Sequence, residues 1–111
     1  MPQAQFIAVV TTLPGRDEAL ALGRALVEHR LVACAQVSAI ESIYWWDGAV
    51  QQAPEFRLLC KTTAALWPAV EAAVAQRRPY TVPAIHACAL DQVHTVYGEW
   101  IADNMTLPSP D

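Results

Sequence analysis

The feature that most constrains this chain is an extended segment that is too long for the domain holding it. Residues 31–46 have the pattern of one strand, which at about 3.3 Å per residue would span roughly 50 Å. A compact domain of 111 residues has a radius of gyration of about 13 Å, and therefore a diameter of about 35 Å. The strand must bend, near Ser38 and Ala39, or project from the body. A projecting strand leaves backbone groups unpaired, and those groups favour pairing with another chain.

The residues that follow this segment predict a hairpin. Asp47-Gly48 is a turn signal because glycine readily takes the positive φ that two-residue hairpin turns need. The return strand is predicted over about residues 50–61. Pro54 has no backbone N–H to donate, which places that part of the strand at an edge of the sheet.

The remaining elements follow from hydrophobic periodicity and from the positions of proline and glycine. The pattern predicts strands over residues 5–12 and 82–90, and helices over residues 17–30, 66–77 and 93–104. The order βαββαβ followed by a helix is the split βαβ, ferredoxin-like arrangement of an α+β fold. We therefore expect an antiparallel sheet with the first two helices packed on one face.

The composition indicates that part of the surface is buried against other copies of the chain. The length allows one domain over residues 1–111, with an ordered core at 5–104 and a frayed tail at 105–111. Hydrophobic residues make up 54% and charged residues 16%, whereas an average soluble domain has about 25% charged residues. A small domain has a large surface for its volume and should be richer in charge. This shortage of charge predicts a homo-oligomer.

Charge, hydropathy and cysteine usage exclude several classes of partner. The net charge is −4 with a single lysine, and the absence of a basic stripe argues against nucleic-acid binding. No apolar stretch approaches the ~18 residues of a membrane span, and the N-terminal residues lack the pattern of a secretory signal. Three isolated cysteines, Cys34, Cys60 and Cys88, show no C-x-x-C spacing. Free thiols are typical of a reducing compartment, so we expect a cytoplasmic protein.

The aromatic run Tyr44-Trp45-Trp46 has two interpretations. Side chains alternate across a strand, so Trp45 faces one way while Tyr44 and Trp46 face the other. Large apolar groups on both faces fit packing between subunits. They also fit an aromatic wall for a ligand in a cleft between subunits.

Several segments of the chain resemble the CutA divalent-cation-tolerance proteins. The resemblance covers residues from about 6 to 104 and keeps the order and spacing of that family. It is carried by LVACAQ at 31–36, SIYWWDG at 42–48, KTT at 61–63, RPYTVP at 78–83, and Trp100. The resemblance implies a ferredoxin-like fold and a tight, PII-like trimer built by hairpin exchange. It also implies a cytoplasmic location in bacteria and a role in tolerance of, or response to, divalent metal ions, copper above all.

The chain departs from that family at the positions where some bacterial members carry metal ligands. Thr11 stands where they have a cysteine, Arg77 and Arg78 replace a histidine pair, and Ala84 replaces a glutamate. A threonine hydroxyl is a poor copper ligand, and arginine is always protonated. The metal site of those relatives therefore does not carry over to this sequence.

A relocated metal site would have to use other side chains. His86 and Cys88 lie two apart on the predicted fourth strand, share a face, and are the candidate ligands for Cu²⁺ or another divalent cation. Cys60 is a candidate third ligand on a neighbouring strand. The competing structural interpretation is a satisfied histidine beside a buried thiol.

The sequence predicts a protein that is not an enzyme. It has no paired carboxylates, phosphate loop or H-E-x-x-H motif, and the His86/Cys88 pair lacks the usual geometry of a nucleophile and its base. We expect a homotrimer that binds metal weakly or serves as a signalling scaffold.

The alternative is a PII-like sensor that binds a small anionic metabolite between subunits. Cations among aromatic walls suit such a ligand. The residues expected to meet there are Tyr44, Trp46, Lys61, Arg77, Arg78 and Tyr80.

Overall fold

A computed structural model describes residues 5–77 and 82–105. These residues form four strands and three α-helices in the order βαββαβα, with one 3₁₀ turn at Ala64–Leu66. The strands are β1 Phe6–Leu13, β2 Cys34–Trp46, β3 Ala49–Thr63 and β4 Ile85–Leu90, and the helices are α1 Arg16–Glu28, α2 Trp67–Gln76 and α3 Thr95–Met105.

The strands form one sheet in the order β2-β3-β1-β4, and every neighbouring pair is antiparallel. This order, with α1 between β1 and β2 and α2 between β3 and β4, is the ferredoxin-like arrangement that the sequence predicts. The predicted fold class is confirmed. The predicted frayed tail lies, apart from Met105, outside the described residues.

The core lies between one face of the sheet and the helices α1 and α2. Helix α1 contributes residues at helical spacing, α2 contributes two valines, and the strands contribute residues that alternate with outward-facing neighbours. The main members of this core are Ala19, Leu22, Leu26, Val70, Val74, Ile7, Val9, Leu13, Leu58 and Cys60.

Helix α3 packs on the opposite face of the sheet. Ile7 belongs to the core under α1 and α2, so the adjacent Phe6 lies on the other face. A Cβ atom added at Gly98 would stand 3.0 Å from Cε2 of Phe6, which shows how closely the helix backbone approaches the ring. Ile101, one turn along, is fully buried.

Helix α1 ends two residues earlier than the sequence predicts. Arg30 takes the left-handed conformation with φ 58°. Its N–H donates to the carbonyl of Val27, and the N–H of Leu31 donates to that of Leu26. This is the Schellman arrangement, in which a residue just past the helix satisfies the last free carbonyls. His29 therefore caps the helix, and Arg30 turns the chain toward β2.

The over-long strand projects from the body. The β1–β3 pairing stops at Leu13 opposite Phe56, whereas the β2–β3 pairing continues to Trp46 opposite Ala49. Residues 40–46 and 49–55 therefore form a two-stranded ribbon, called the arm below, which extends about 24 Å at the usual rise per residue. The molecule measures 50 × 32 × 21 Å.

The arm closes with the predicted two-residue turn. Asp47 and Gly48 both have positive φ, 53° and 75°, as a type I′ hairpin turn requires. Pro54 lies in the arm, where β3 pairs with β2 alone, so its missing N–H costs no ladder bond with β1.

We expect Gly48→Ala to lower the free energy of unfolding by about 1–2 kcal/mol, because an L-residue resists left-handed backbone angles. An added Cβ would meet no atom within 4 Å, so the loss would report backbone strain alone. Urea denaturation at a fixed protein concentration measures it. Gly48→Asn is the control, since asparagine tolerates this conformation. An alanine variant as stable as the wild type would contradict the turn geometry.

Candidate functional site at the base of the arm

An open cleft of about 620 Å³ lies where the arm joins the sheet. One wall comes from the arm, and the other comes from the end of β1 and the residues before β4. The lining residues are Thr12, Ser42, Ile43, Tyr44, Trp46, Glu55, Val82 and Ala84.

The strand register places the two aromatic rings and a carboxylate on one face of the arm. Glu55 pairs with Ile40, so these two residues lie on the same face of the ribbon. Side chains alternate along a strand, so Tyr44 and Trp46, four and six residues after Ile40, lie on that face as well. Tyr44 is 43% exposed and Trp46 is 55% exposed. Trp45, on the opposite face, is 75% exposed and does not line the cleft. The arm therefore presents aromatic surface on both sides, as the alternation predicts.

The other residues predicted for the intersubunit cleft do not all meet the aromatic pair within one chain. Lys61 pairs with Cys34 at the far end of β2 from Tyr44, which pairs with Gln51. Arg77 is the exposed C-terminal cap of α2. Arg78 and Tyr80 lie outside the described residues. A meeting of Lys61 with Tyr44 and Trp46 would need a second copy of the chain, and it stays a prediction.

His86 and Cys88 share one face of β4 and are both exposed. The prediction that Cys60 lies on a strand next to them is wrong. Cys60 is on β3, and β1 lies between β3 and β4. In the register, Cys60 is opposite Val9, and Val9 is opposite Ala87. Cys60 therefore faces the side of the sheet opposite to that of His86 and Cys88. Within the described part of the chain, no three His, Cys, Asp or Glu side chains are grouped to hold a metal.

Thr11 stands where the resemblance described above implies a cysteine ligand in some family members. Thr11 is buried on β1, between Leu58 and Ile85 in the register. A hydroxyl is a poor ligand for copper.

The remaining thiols lie in different environments. Cys60 is 1% exposed, and burial, followed by the nearby Cys34, raises the pKa of its thiol from 9.0 to about 12. The Sγ atom of Cys34 lies 3.9 Å from the hydroxyl oxygen of Tyr97 on α3. Burial and then this contact raise the pKa of Tyr97. Tyr97 stacks on Trp100 with ring centroids 5.8 Å apart.

Comparison with known proteins decides the family. Residues 7–104 match the model of the CutA1 divalent ion tolerance protein family. The chain belongs to the CutA1 family.

Individual CutA proteins support this assignment over nearly the whole chain. The divalent-cation tolerance protein CutA of Thermus thermophilus is 38% identical over 97 residues, which are 86% of this chain and 94% of that protein. The crystal structure of CutA1 from Shewanella sp. SIB1 superposes with a TM-score of 0.86 at 35% identity, over 99% of this chain and 100% of that one. The periplasmic divalent cation tolerance protein CutA of Archaeoglobus fulgidus gives 0.85 at 29% identity, over 94% and 100%.

No helix in the described part of this CutA1-family chain is long and apolar enough to cross a membrane.

Of the residues that line the cleft, the sequence pattern predicted only Tyr44 and Trp46. The polar residues that it did not predict there are Thr12, Ser42 and Glu55. Glu55 is the informative one, because a hairpin register counted outward from Asp47-Gly48 places it on the face of Tyr44 and Trp46. That count was available from the sequence once the turn was assigned.

The raised pKa of Cys60 predicts a loss of stability in alkali. Between pH 9 and 12 the unfolded chain loses this thiol proton while the folded chain keeps it, so the free energy of unfolding falls as pH rises, by up to about 1.4 kcal/mol per pH unit. Denaturant titrations from pH 8.5 to 10.5 on the wild type and on Cys60→Ala measure the difference in slope. Equal slopes in the two proteins would contradict the buried, protonated thiol.

Proposed function

We propose that this protein acts in tolerance of divalent cations, copper above all, as a non-enzymatic homotrimer with PII-like architecture. In this role it binds metal weakly or serves as a scaffold that signals the presence of metal. Membership of the CutA1 family supports the tolerance role. The projecting arm is the observation that supports the assembly.

The arm is expected to be unstable without further contacts. An isolated two-stranded hairpin is at best marginally stable in water. In this arm β3 pairs with β2 on one side and has no β1 partner on the other, which leaves a row of backbone groups without a strand neighbour. Ile43, Trp45 and Val50 are 58–75% exposed. Packing of this face against a neighbouring subunit would remove the apolar area from water. Pairing of the open edge with a strand of that subunit would satisfy the backbone groups.

The sheet offers receiving edges for such an exchange. Strands β2 and β4 are the two outer strands, and β4 carries four consecutive exposed residues, 86–89. An arm that leaves one chain and is received by the next makes a head-to-tail contact, and such contacts form a ring when the rotation between subunits closes. A ring of three, the assembly that the resemblance to CutA proteins implies, would bury part of each subunit's surface and thus fit the low charge of the chain.

A cytoplasmic location is part of the proposal. The three cysteines are unpaired, with Cys60 buried, Cys34 half-buried and Cys88 exposed. Such thiols persist where the environment is reducing. The Archaeoglobus relative is described as periplasmic. Fractionation of cells of the native host would show in which compartment this protein resides.

We expect Trp45→Glu to dissociate or weaken the trimer, because a charge would have to be buried in an apolar contact. Light scattering should give about 36 kDa for the wild type, three times the 12.1 kDa chain mass, and a lower value for the variant. Trp45→Phe is the matched control and should remain assembled, since it keeps an aromatic side chain. A folded wild-type monomer at micromolar concentration would contradict the proposal.

We expect weak, non-stoichiometric binding of Cu²⁺ and Zn²⁺, with most of it due to His86 and Cys88. Calorimetry on the wild type, His86→Ala and Arg78→Ala tests this. His86→Ala should lower the residual binding several-fold, and Arg78→Ala should leave it unchanged because arginine is always protonated. Tight binding lost only in His86→Ala would show a relocated, functional metal site. One tight metal per chain that depends on Arg78 would contradict the proposal.

A further inference from the structure

Three oxidisable side chains are in contact where α3 packs beside the start of β2. Tyr97 and Trp100, one turn apart on α3, stack with ring centroids 5.8 Å apart and an angle of 10° between the rings. The Sγ atom of Cys34, the first residue of β2, lies 3.9 Å from the hydroxyl oxygen of Tyr97. An indole, a phenol and a thiol therefore follow one another in space, in that order.

Solvent exposure decreases along this series. Trp100 is 44% exposed and Tyr97 is 38% exposed, whereas Cys34 is half-buried. An oxidant that diffuses in water therefore meets the two rings before it meets the thiol. The cluster is separate from the cleft at the base of the arm, because Cys34 and Trp46 are at opposite ends of β2.

We propose that Trp100, Tyr97 and Cys34 form a one-electron relay that delivers oxidising equivalents to Cys34 and makes this thiol a site of mixed-disulfide formation. An oxidising radical takes one electron from Trp100 and becomes an anion, while the indole N–H proton passes to water. The indolyl radical takes an electron and a proton from the hydroxyl of Tyr97. The phenoxyl radical takes the hydrogen atom of the Cys34 thiol. Both rings are thereby restored, and Cys34 is left as a thiyl radical.

A low-molecular-weight thiol completes the reaction. Its thiolate adds to the Cys34 thiyl radical, which forms an S–S bond and a disulfide radical anion. A second oxidising radical removes the extra electron. In sum, two radicals become anions, two thiol protons are released, and one mixed disulfide forms. Such a disulfide is a reversible modification, and exchange with a further thiol restores Cys34.

Two further observations support the relay. Lys61 lies directly opposite Cys34 in the β2–β3 register and on the same face of the sheet, so its ammonium group favours the approach of an anionic thiol. Burial and then the contact with Cys34 raise the pKa of Tyr97. The phenol therefore keeps its proton at neutral pH and can pass a proton and an electron together. All these groups belong to one chain, so the inference does not depend on the proposed trimer.

Radiolytically generated azide radicals test the relay, because they oxidise indole rings faster than thiols. The full-length protein is treated with them in the presence of glutathione. Peptide mass spectrometry then measures the fraction of Cys34 and of Cys88 that carries glutathione. We expect Cys34 to be the main site of modification, although Cys88 is the exposed thiol.

Two conservative variants make the test specific. Tyr97→Phe keeps the aromatic ring but removes the hydroxyl, so most of the radical-driven modification of Cys34 should be lost while that of Cys88 stays unchanged. Trp100→Phe should lower the modification of Cys34 because the entry point for the electron vacancy is removed. Oxidised glutathione modifies thiols without radicals, and its rate of reaction with Cys34 in each variant corrects for any change in access.

Pulse radiolysis gives an independent measurement on a third variant. Cys34→Ser keeps a polar side chain of similar size but cannot give up a hydrogen atom readily. The optical absorption of the phenoxyl radical should therefore persist longer in Cys34→Ser than in the wild type. Circular dichroism and light scattering confirm that each variant is folded and assembled as the wild type. If the aromatic variants fail that check, this comparison decides the question.

Either of two outcomes would overturn the proposal. The first is equal radical-driven modification of Cys34 in the wild type and in Tyr97→Phe or Trp100→Phe, because the thiol would then be oxidised directly. The second is the same decay of the phenoxyl radical in the wild type and in Cys34→Ser, because Tyr97 would then pass nothing to the thiol.

Discussion

The pairing of β2 with β3 is the interaction on which the rest of the structure depends. Its register runs without interruption from Cys34 opposite Lys61 to Trp46 opposite Ala49, whereas β1 is only long enough to reach Phe56. The difference in length creates the arm, and the two positive φ values of the turn fix which residues face each other across it. A slip of one residue would exchange the two faces of the ribbon and move Glu55 away from Tyr44 and Trp46.

Local signals allowed the fold to be predicted, but contacts between distant segments were beyond their reach. The Asp47-Gly48 turn and the alternation around it were enough to predict the hairpin and its two aromatic faces. Helix α1 was extended too far because Arg30 has no intrinsic preference for left-handed angles; the Schellman bonds at the helix end impose them. Cys60 was placed beside His86 because strand order is a property of the whole sheet, and β1 separates the two.

The candidate site shows the same division between local and distant information. Tyr44 and Trp46 line the same cleft of the single chain, on one face of the arm, as the local alternation of side chains predicts. The meeting of Lys61 with the aromatic pair stays a prediction about two subunits, because within one chain Lys61 lies on the same strand as Glu55 but six residues further along it. In an extended strand that separation is about 20 Å. The two faces of the arm therefore have different neighbours: Trp45 faces away from the cleft, and Trp46 lines it.

The conformation of Arg30 has a consequence for how the domain loses its structure. Its guanidinium Nη1 donates to the carbonyl oxygen of Asn104 in the last turn of α3, at 3.2 Å, while its backbone closes the end of α1. The two helices lie on opposite faces of the sheet, and Arg30 and Asn104 are 74 residues apart in the chain. The Arg30 side chain thus links the end of α1 to the end of α3 across the end of the sheet. Fraying of the last turn of α3 and opening of the α1 terminus are thereby coupled by about 1 kcal/mol, the usual net contribution of one such hydrogen bond.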